Sequence, residues 1–347
     1  MSKYQNVGTP KFYVDYFQWL LVTGQKSSNT EGEFLGSYDF LFNLDLEERF
    51  DLAKLFYLNP TNSYTFDFEG TATNSGLTIS LGLNSNDDYS MNYAMILNHN
   101  FKETSVGFSV KQYDGTTADL VAPINTINHD ATTITYNGWS FIDFANQIEG
   151  TIGDIKTMFL RLDHPASQQG IKMGAISMGT YYEMPHSPDL DLTMTREFGG
   201  AKKQFTKGGA LLTNYNYTQQ PTWGDGEAWG LYESVESNLG ARRAGRRVWD
   251  LKFSYLSASD IMPEIEMIRR YRPSDSDSYD SSLSSDTFFS QFMQKTLGGS
   301  LRFIFQPNGS DYNPDGFAIC ILDQDSISIK QVAHNTYNIS LKIMEVW

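Results

Sequence analysis

Short stretches of alternating apolar and polar residues, each ended by a turn-forming cluster, follow one another along most of this 347-residue chain. Alternation with a period of two puts every second side chain on the same face, as a half-buried β-strand requires. YTFDFEG (64–70), GLTISLGL (76–83), MNYAMILNHNF (91–101) and SVGFSVKQY (105–113) are such segments. Clusters such as NSNDDYS and DGTTAD, rich in turn formers, separate them. TITYNGWSFIDF (133–144) holds Asn-Gly between two β-prone runs, a hairpin signal, and KTMFLRLDH (156–164) is the next strand. For roughly residues 60–165 these segments predict a sandwich or jelly roll.

The rest of the chain continues the pattern. KMGAISMGTYYEMP (172–185) reads as a strand, and REFGGAKKQFTKG (196–208) as an extended hairpin with a basic tip. Gly-Gly pairs at 199–200 and 208–209 interrupt the β-prone run there. VWDLKFSYL (248–256), SLRFIFQP (300–307), GFAICILD (316–323), SISIKQVA (326–333) and TYNISLKIMEVW (336–347) are further strands. Helical signals are few. LEERFDLAKLFYL (46–58) has an acidic first turn and an Asn-Pro stop. TFFSQFMQKTLGG (287–299) has Thr287 as cap, Phe288, Phe292, Met293 and Leu297 on one face, and Gly298 as stop. FYVDYFQWLLVTG (12–24) fits both periods. The expected fold is mainly β, with two β-sandwich or jelly-roll-like regions and a few short helices.

Charge divides the chain unevenly. Its 26 Lys+Arg stand against 41 Asp+Glu, a net of −15, and residues 1–170 carry −11 of this. The shift follows HPASQQG (164–170), which predicts an N-terminal β-rich domain over 1–170 and a C-terminal one over 171–347. The Ser/Asp-rich PSDSDSYDSSLSSD (273–286) reads as an acidic surface loop in the second. An acidic chain is not built to bind phosphate backbones, so direct nucleic-acid binding is not expected. No run of about 18 uncharged apolar residues would cross a membrane. The opening MSKYQNVGTPKFYVDY lacks a basic-then-apolar signal layout. The single cysteine, Cys320, sits in apolar GFAICILD, so a buried, inert thiol is expected.

Motifs for chemistry are scarce. The five histidines, His99, His129, His164, His186 and His334, show no HExxH or HxH spacing. There is no GxSxG elbow, P-loop or GxGxxG fingerprint. Acidic pairs such as Asp87–Asp88 and Asp323/Asp325 fit solvated turns better than a glycosidase or calcium site. No catalytic residue, cofactor or metal is therefore assigned. One charged feature stands apart: Arg242, Arg243, Arg246 and Arg247 lie within six residues of an otherwise acidic chain. Such a cluster is either a solvated loop before a strand or a subunit-interface anchor, since Arg pairs carboxylates bidentately. On the second view, removing Arg246 and Arg247 would spare the monomer and weaken assembly.

The segments MGAISMGTYYEMPHSPDLDLTMTREFGG, TKGGALLTN, GRRVWDLKFSYLSASDIMP, KTLGGSLRFIFQPNGSDYNPDGFAICILDQ and AHNTYNISLKIMEVW carry a resemblance. Together they resemble uncharacterised virion structural proteins, associated with the tail or baseplate, of marine tailed bacteriophages. The likeness covers roughly residues 171–347 and, more loosely, KFYVDYFQWLL near the start. It implies a non-enzymatic part of the tail, baseplate or fibre-attachment region, assembled in the bacterial host cytoplasm. Partners would be other virion proteins and copies of the chain itself. A receptor- or carbohydrate-binding module is the alternative, with exposed Trp and Tyr forming a sugar platform for host-surface glycan. A glycan depolymerase with unrecognised carboxylates comes third.

Overall fold

A computed structural model describes residues 7–23, 53–68, 78–82, 92–113, 125–129, 137–143, 157–163, 168–215, 222–223, 226–227, 245–263 and 286–346. The protein is mainly β, 47% strand against 14% helix, built on large antiparallel sheets.

The largest sheet has ten strands, all paired antiparallel. Its path begins at β11 (Thr193–Glu197), β16 (Arg246–Ser257), β20 (Thr336–Glu345), β18 (Ala318–Leu322) and β17 (Phe303–Gln306). It continues through β1 (Lys11–Asp15), β10 (Ala175–Glu183), β4 (Tyr93–Leu97) and β7 (Trp139–Asp143). Off that path, β19 (Ile329–Ala333) pairs with β20. A second sheet orders β3 (Thr78–Gly82), β8 (Thr157–Asp163), β5 (Gly107–Tyr113) and β6 (Asn125–His129). Three two-stranded pieces complete it: β2 (Tyr64–Phe68) with β9 (Gln168–Met173), β12 (Ala201–Phe205) with β13 (Leu211–Tyr215), and β14 (Thr222–Trp223) with β15 (Gly226–Glu227).

The strand β1 lies inside the large sheet, between β10 and β17, with Phe12 opposite both Tyr182 and Phe305. Strands from either side of residue 170 thus share one ladder, and the charge shift at 164–170 runs into β9 rather than marking a gap in this sheet. Charge balance reports on surface residues, whereas pairing follows the apolar strands. The segment at 12–24 fits both periods because it is both: β1 turns directly into helix α1 (Tyr16–Thr23). Asp15 makes the switch by accepting the Phe17 N–H at 3.1 Å through Oδ1, and burial pushes its carboxyl well above the usual range.

Alternation sorts the side chains into two apolar clusters. Phe12, Val14, Ile96, Ile176, Phe303, Phe305 and Cys320 belong to the larger, with Phe288 and Phe292 packed into it. Phe108 and Val110 of β5 join the same cluster, so the two sheets share a sandwich-like core. Tyr13, Tyr93, Met95, Ile304 and Ile319, one residue out of phase, form the smaller cluster.

Two helical expectations need correction. Of 46–58, residues 46–52 lie outside the described residues, and Ala53–Phe56 is a single 3-10 turn. At 287–297, Thr287 does cap, its Oγ1 accepting the Ser290 N–H at 3.2 Å. The turn that follows, Phe289–Met293, is π-helical, with Gln294 N–H bonded to Phe289 O. By Leu297 the chain has left the helix, with φ at 51°, and its side chain is exposed while Phe288 and Phe292 are buried. The Asn-Gly hairpin cannot be followed on its first side, because 133–136 lies outside the described residues; β7 on its second side pairs with β4. The acidic loop at 273–286 also lies outside them, save Asp286.

Candidate interaction surfaces

Arg246 and Arg247 open β16; Arg242 and Arg243 lie outside the described residues. Arg247 is not at a surface. Its guanidinium donates to both oxygens of Glu345, from Nε at 3.1 Å and from Nη2 at 2.8 Å, and Nη2 also donates to Phe317 O. The Arg247 N–H reaches Glu345 Oε2 at 3.0 Å, and the guanidinium lies 5.2 Å from the Trp249 ring centre. Both partners of the pair are 1% exposed. Arg247 therefore has an internal partner, and neither a solvated loop nor an anchor for another subunit describes it. Nothing local marked Glu345, 98 residues away, as that partner. Arg246 is half-buried, with Nη1 3.9 Å from Met344 Sδ.

Cys320 is fully buried, and burial raises its thiol well above the ordinary range, as an inert structural thiol requires. His99 is a satisfied core histidine: Nδ1 accepts the Phe101 N–H, Nε2 lies 2.9 Å from Ser140 Oγ, and the ring stacks on Phe101. Asp323 pairs with Lys342 at 2.6 Å on the surface. Among the described residues no group of three His, Cys, Asp or Glu is placed to hold a metal ion.

A basic hairpin forms, but later than the predicted 196–208: that span holds only its first strand, and the second follows the tip. After β11 the chain passes through Gly199 and Gly200, both with positive φ (75° and 68°), and leaves the sheet as β12 and β13. Two consecutive left-handed residues suit glycine, which has no Cβ to clash. At the tip, Thr206 O accepts the Gly209 N–H and its Oγ1 the Ala210 N–H. Every residue from 197 to 212 is exposed. The ribbon nevertheless carries large apolar groups: Phe205 is 76%, Leu212 57% and Leu211 49% exposed. Phe205 pairs with Leu211 across the ladder, so their side chains share one face. Lys202, Lys203 and Lys207 supply the charge, with no acidic residue between 198 and 215. A two-stranded ribbon is marginal alone in water, and exposed apolar groups on one mark a contact surface.

A second surface lies at the far part of the large sheet, on the face of the smaller cluster. Trp139, Phe141 and Asp143 point the same way from β7, being two residues apart. Phe141 stacks between Trp139 (6.3 Å, 24°) and Tyr312 (6.0 Å, 28°). Tyr312 is half-exposed, and its hydroxyl lies 3.5 Å from Asp143 Oδ2. Lys11 Nζ sits 4.5 Å from the Tyr181 ring centre and 3.8 Å from Glu183. The WSFID alternation signalled this row, but nothing near residue 140 pointed to Tyr312. Comparison with known protein families and with curated proteins finds no match to this chain.

Proposed function

We propose that the chain is a non-enzymatic structural component of a tailed-phage particle, in the tail, baseplate or fibre-attachment region, where it associates with copies of itself and with other particle proteins. Assembly would take place in the host cytoplasm. The observation that supports this most is the projecting ribbon, which exposes Phe205, Leu211 and Leu212 beside three lysines in a chain of net charge −15. A side-chain set that costs free energy in water gains it back in a contact. The resemblance of residues 171–347 to virion proteins points the same way.

The test is a peptide census of purified phage particles, with imaging of a label on this chain. The proposal expects the chain in the particle at a fixed copy number, on the tail side. Its presence only in the soluble lysate would overturn it. A second reading, a host-glycan-binding module, draws on the half-exposed Trp139, Phe141 and Tyr312 rings, because sugar faces stack on aromatic faces. Binding of the purified chain to one class of glycan on an array, lost on Trp139→Ala, would favour that reading.

A further inference from the structure

We infer that the ribbon of one copy docks on the aromatic and acidic surface around Phe141 of the next copy, so that subunits join head to tail. This rests on the self-associating role proposed above and names the two surfaces that carry it.

The ribbon leaves one edge of the ten-stranded sheet, beside β11, and the aromatic surface lies at β10, β4 and β7 toward the other edge. Six to eight strand spacings of ~4.8 Å, about 29–38 Å, separate them along the sheet. The ribbon's residues are exposed, so it is not folded back on its own chain. A donor and an acceptor at opposite edges of one molecule meet only between copies. Such a contact is heterologous: it closes into a ring if the rotation permits and otherwise extends as a filament.

The chemistry of the two surfaces is complementary. Phe205 and Leu211 share one ribbon face and would lie on the half-exposed Tyr312 ring, with the half-buried Phe141 beside it. Lys203, two residues from Phe205, lies on that same face and Lys207 stands at the exposed tip, whereas Lys202 projects from the other face of β12. Asp143 and Glu183 border the acceptor, with Glu183 48% exposed. Lys11 lies against Glu183 and offsets part of its charge, so Asp143 is the main acidic group of the acceptor.

Charge reversal on the full-length chain tests this, with mass in solution read by light scattering and folding by thermal unfolding. Lys203→Glu with Lys207→Glu should weaken self-association at least roughly tenfold, and so should Asp143→Lys with Glu183→Lys. All four changes in one chain should recover most of the loss, since the pairs are restored with opposite sign. Thermal unfolding should move little in any of the three. If the ribbon reversal weakens association while the acceptor reversal does not, or if the fourfold variant stays dissociated, the docking assignment is wrong. A wild-type chain that remains monomeric also overturns it. The particle census decides the structural role separately. Glycan binding lost on Trp139→Ala with association unchanged would give the surface to a sugar instead.

Discussion

At the start of β16 the guanidinium of Arg247 lies in the core. Its pair with Glu345 joins the start of β16 to the end of β20, next to Trp249 and Cys320. Removing one member of a buried pair strands the other charge in the core, which costs about 3–5 kcal/mol. Arg247→Ala should therefore lower unfolding free energy by that amount in urea titration; a loss under about 1 kcal/mol would contradict the assignment. The expectation that replacing Arg246 and Arg247 together spares the folded subunit does not fit a buried Arg247. Lys295 is a second buried cation, with Nζ donating to Tyr16 Oη at 2.9 Å and to Gln291 Oε1 at 2.7 Å. Burial lowers its pKa from 10.5 to about 7, opposed in part by the charge of Asp286. Between those values the unfolded chain holds a proton that the folded chain lacks, so folding gains stability as pH rises from 7 towards 10.5. Below 7 both states are charged and the full penalty applies. Lys295→Met has no such slope, so the stability difference, variant minus wild type, should shrink between pH 7 and pH 10. A difference independent of pH would show that the ammonium is solvated.

At the scale of single elements, strands were legible because their period is two and one face is buried. GFAICILD, SISIKQVA and TYNISLKIMEVW each became a strand, as β18, β19 and β20. The basic hairpin was legible in part: Gly-Gly pairs mark its base and its tip, but the predicted 196–208 stops before its second strand. What alternation cannot show is how closely two backbones approach. Gly179 in β10 is an example: a Cβ there would collide with the carbonyl oxygen of Val14 in β1. Gly179→Ala should cost about 2–3 kcal/mol, measured by chemical denaturation, because the central strand pair would have to part. Gly208→Ala, where the nearest atom is Thr206 Oγ1 at 4.0 Å, should stay within about 0.5 kcal/mol. Equal effects at the two positions would mean that the β1–β10 pair yields easily. The π-helical turn was missed for a related reason: Phe288, Phe292 and Leu297 fit a 3.6-residue period on paper, and only packing widens it.

For the whole molecule, pairing partners lay beyond what residue patterns reveal. Phe12 meets Phe305, and Tyr13 donates to Gln306 across 293 residues, so the sheet is assembled from distant segments and straddles the change in charge balance near residue 170. The candidate surfaces divide in the same way. The ribbon could be named from one stretch of sequence, whereas the Phe141 surface needs β7, β10 and the Tyr312 loop brought together. Both surfaces serve the proposed self-association, carried by an arm that the fold does not need. The most direct check compares the mass in solution of the wild-type chain with one in which residues 201–214 are replaced by a short Gly-Ser turn. Self-association through the ribbon gives an oligomer for the first and a monomer for the second, with the same unfolding temperature within a few degrees. An oligomer that survives loss of the ribbon would contradict it.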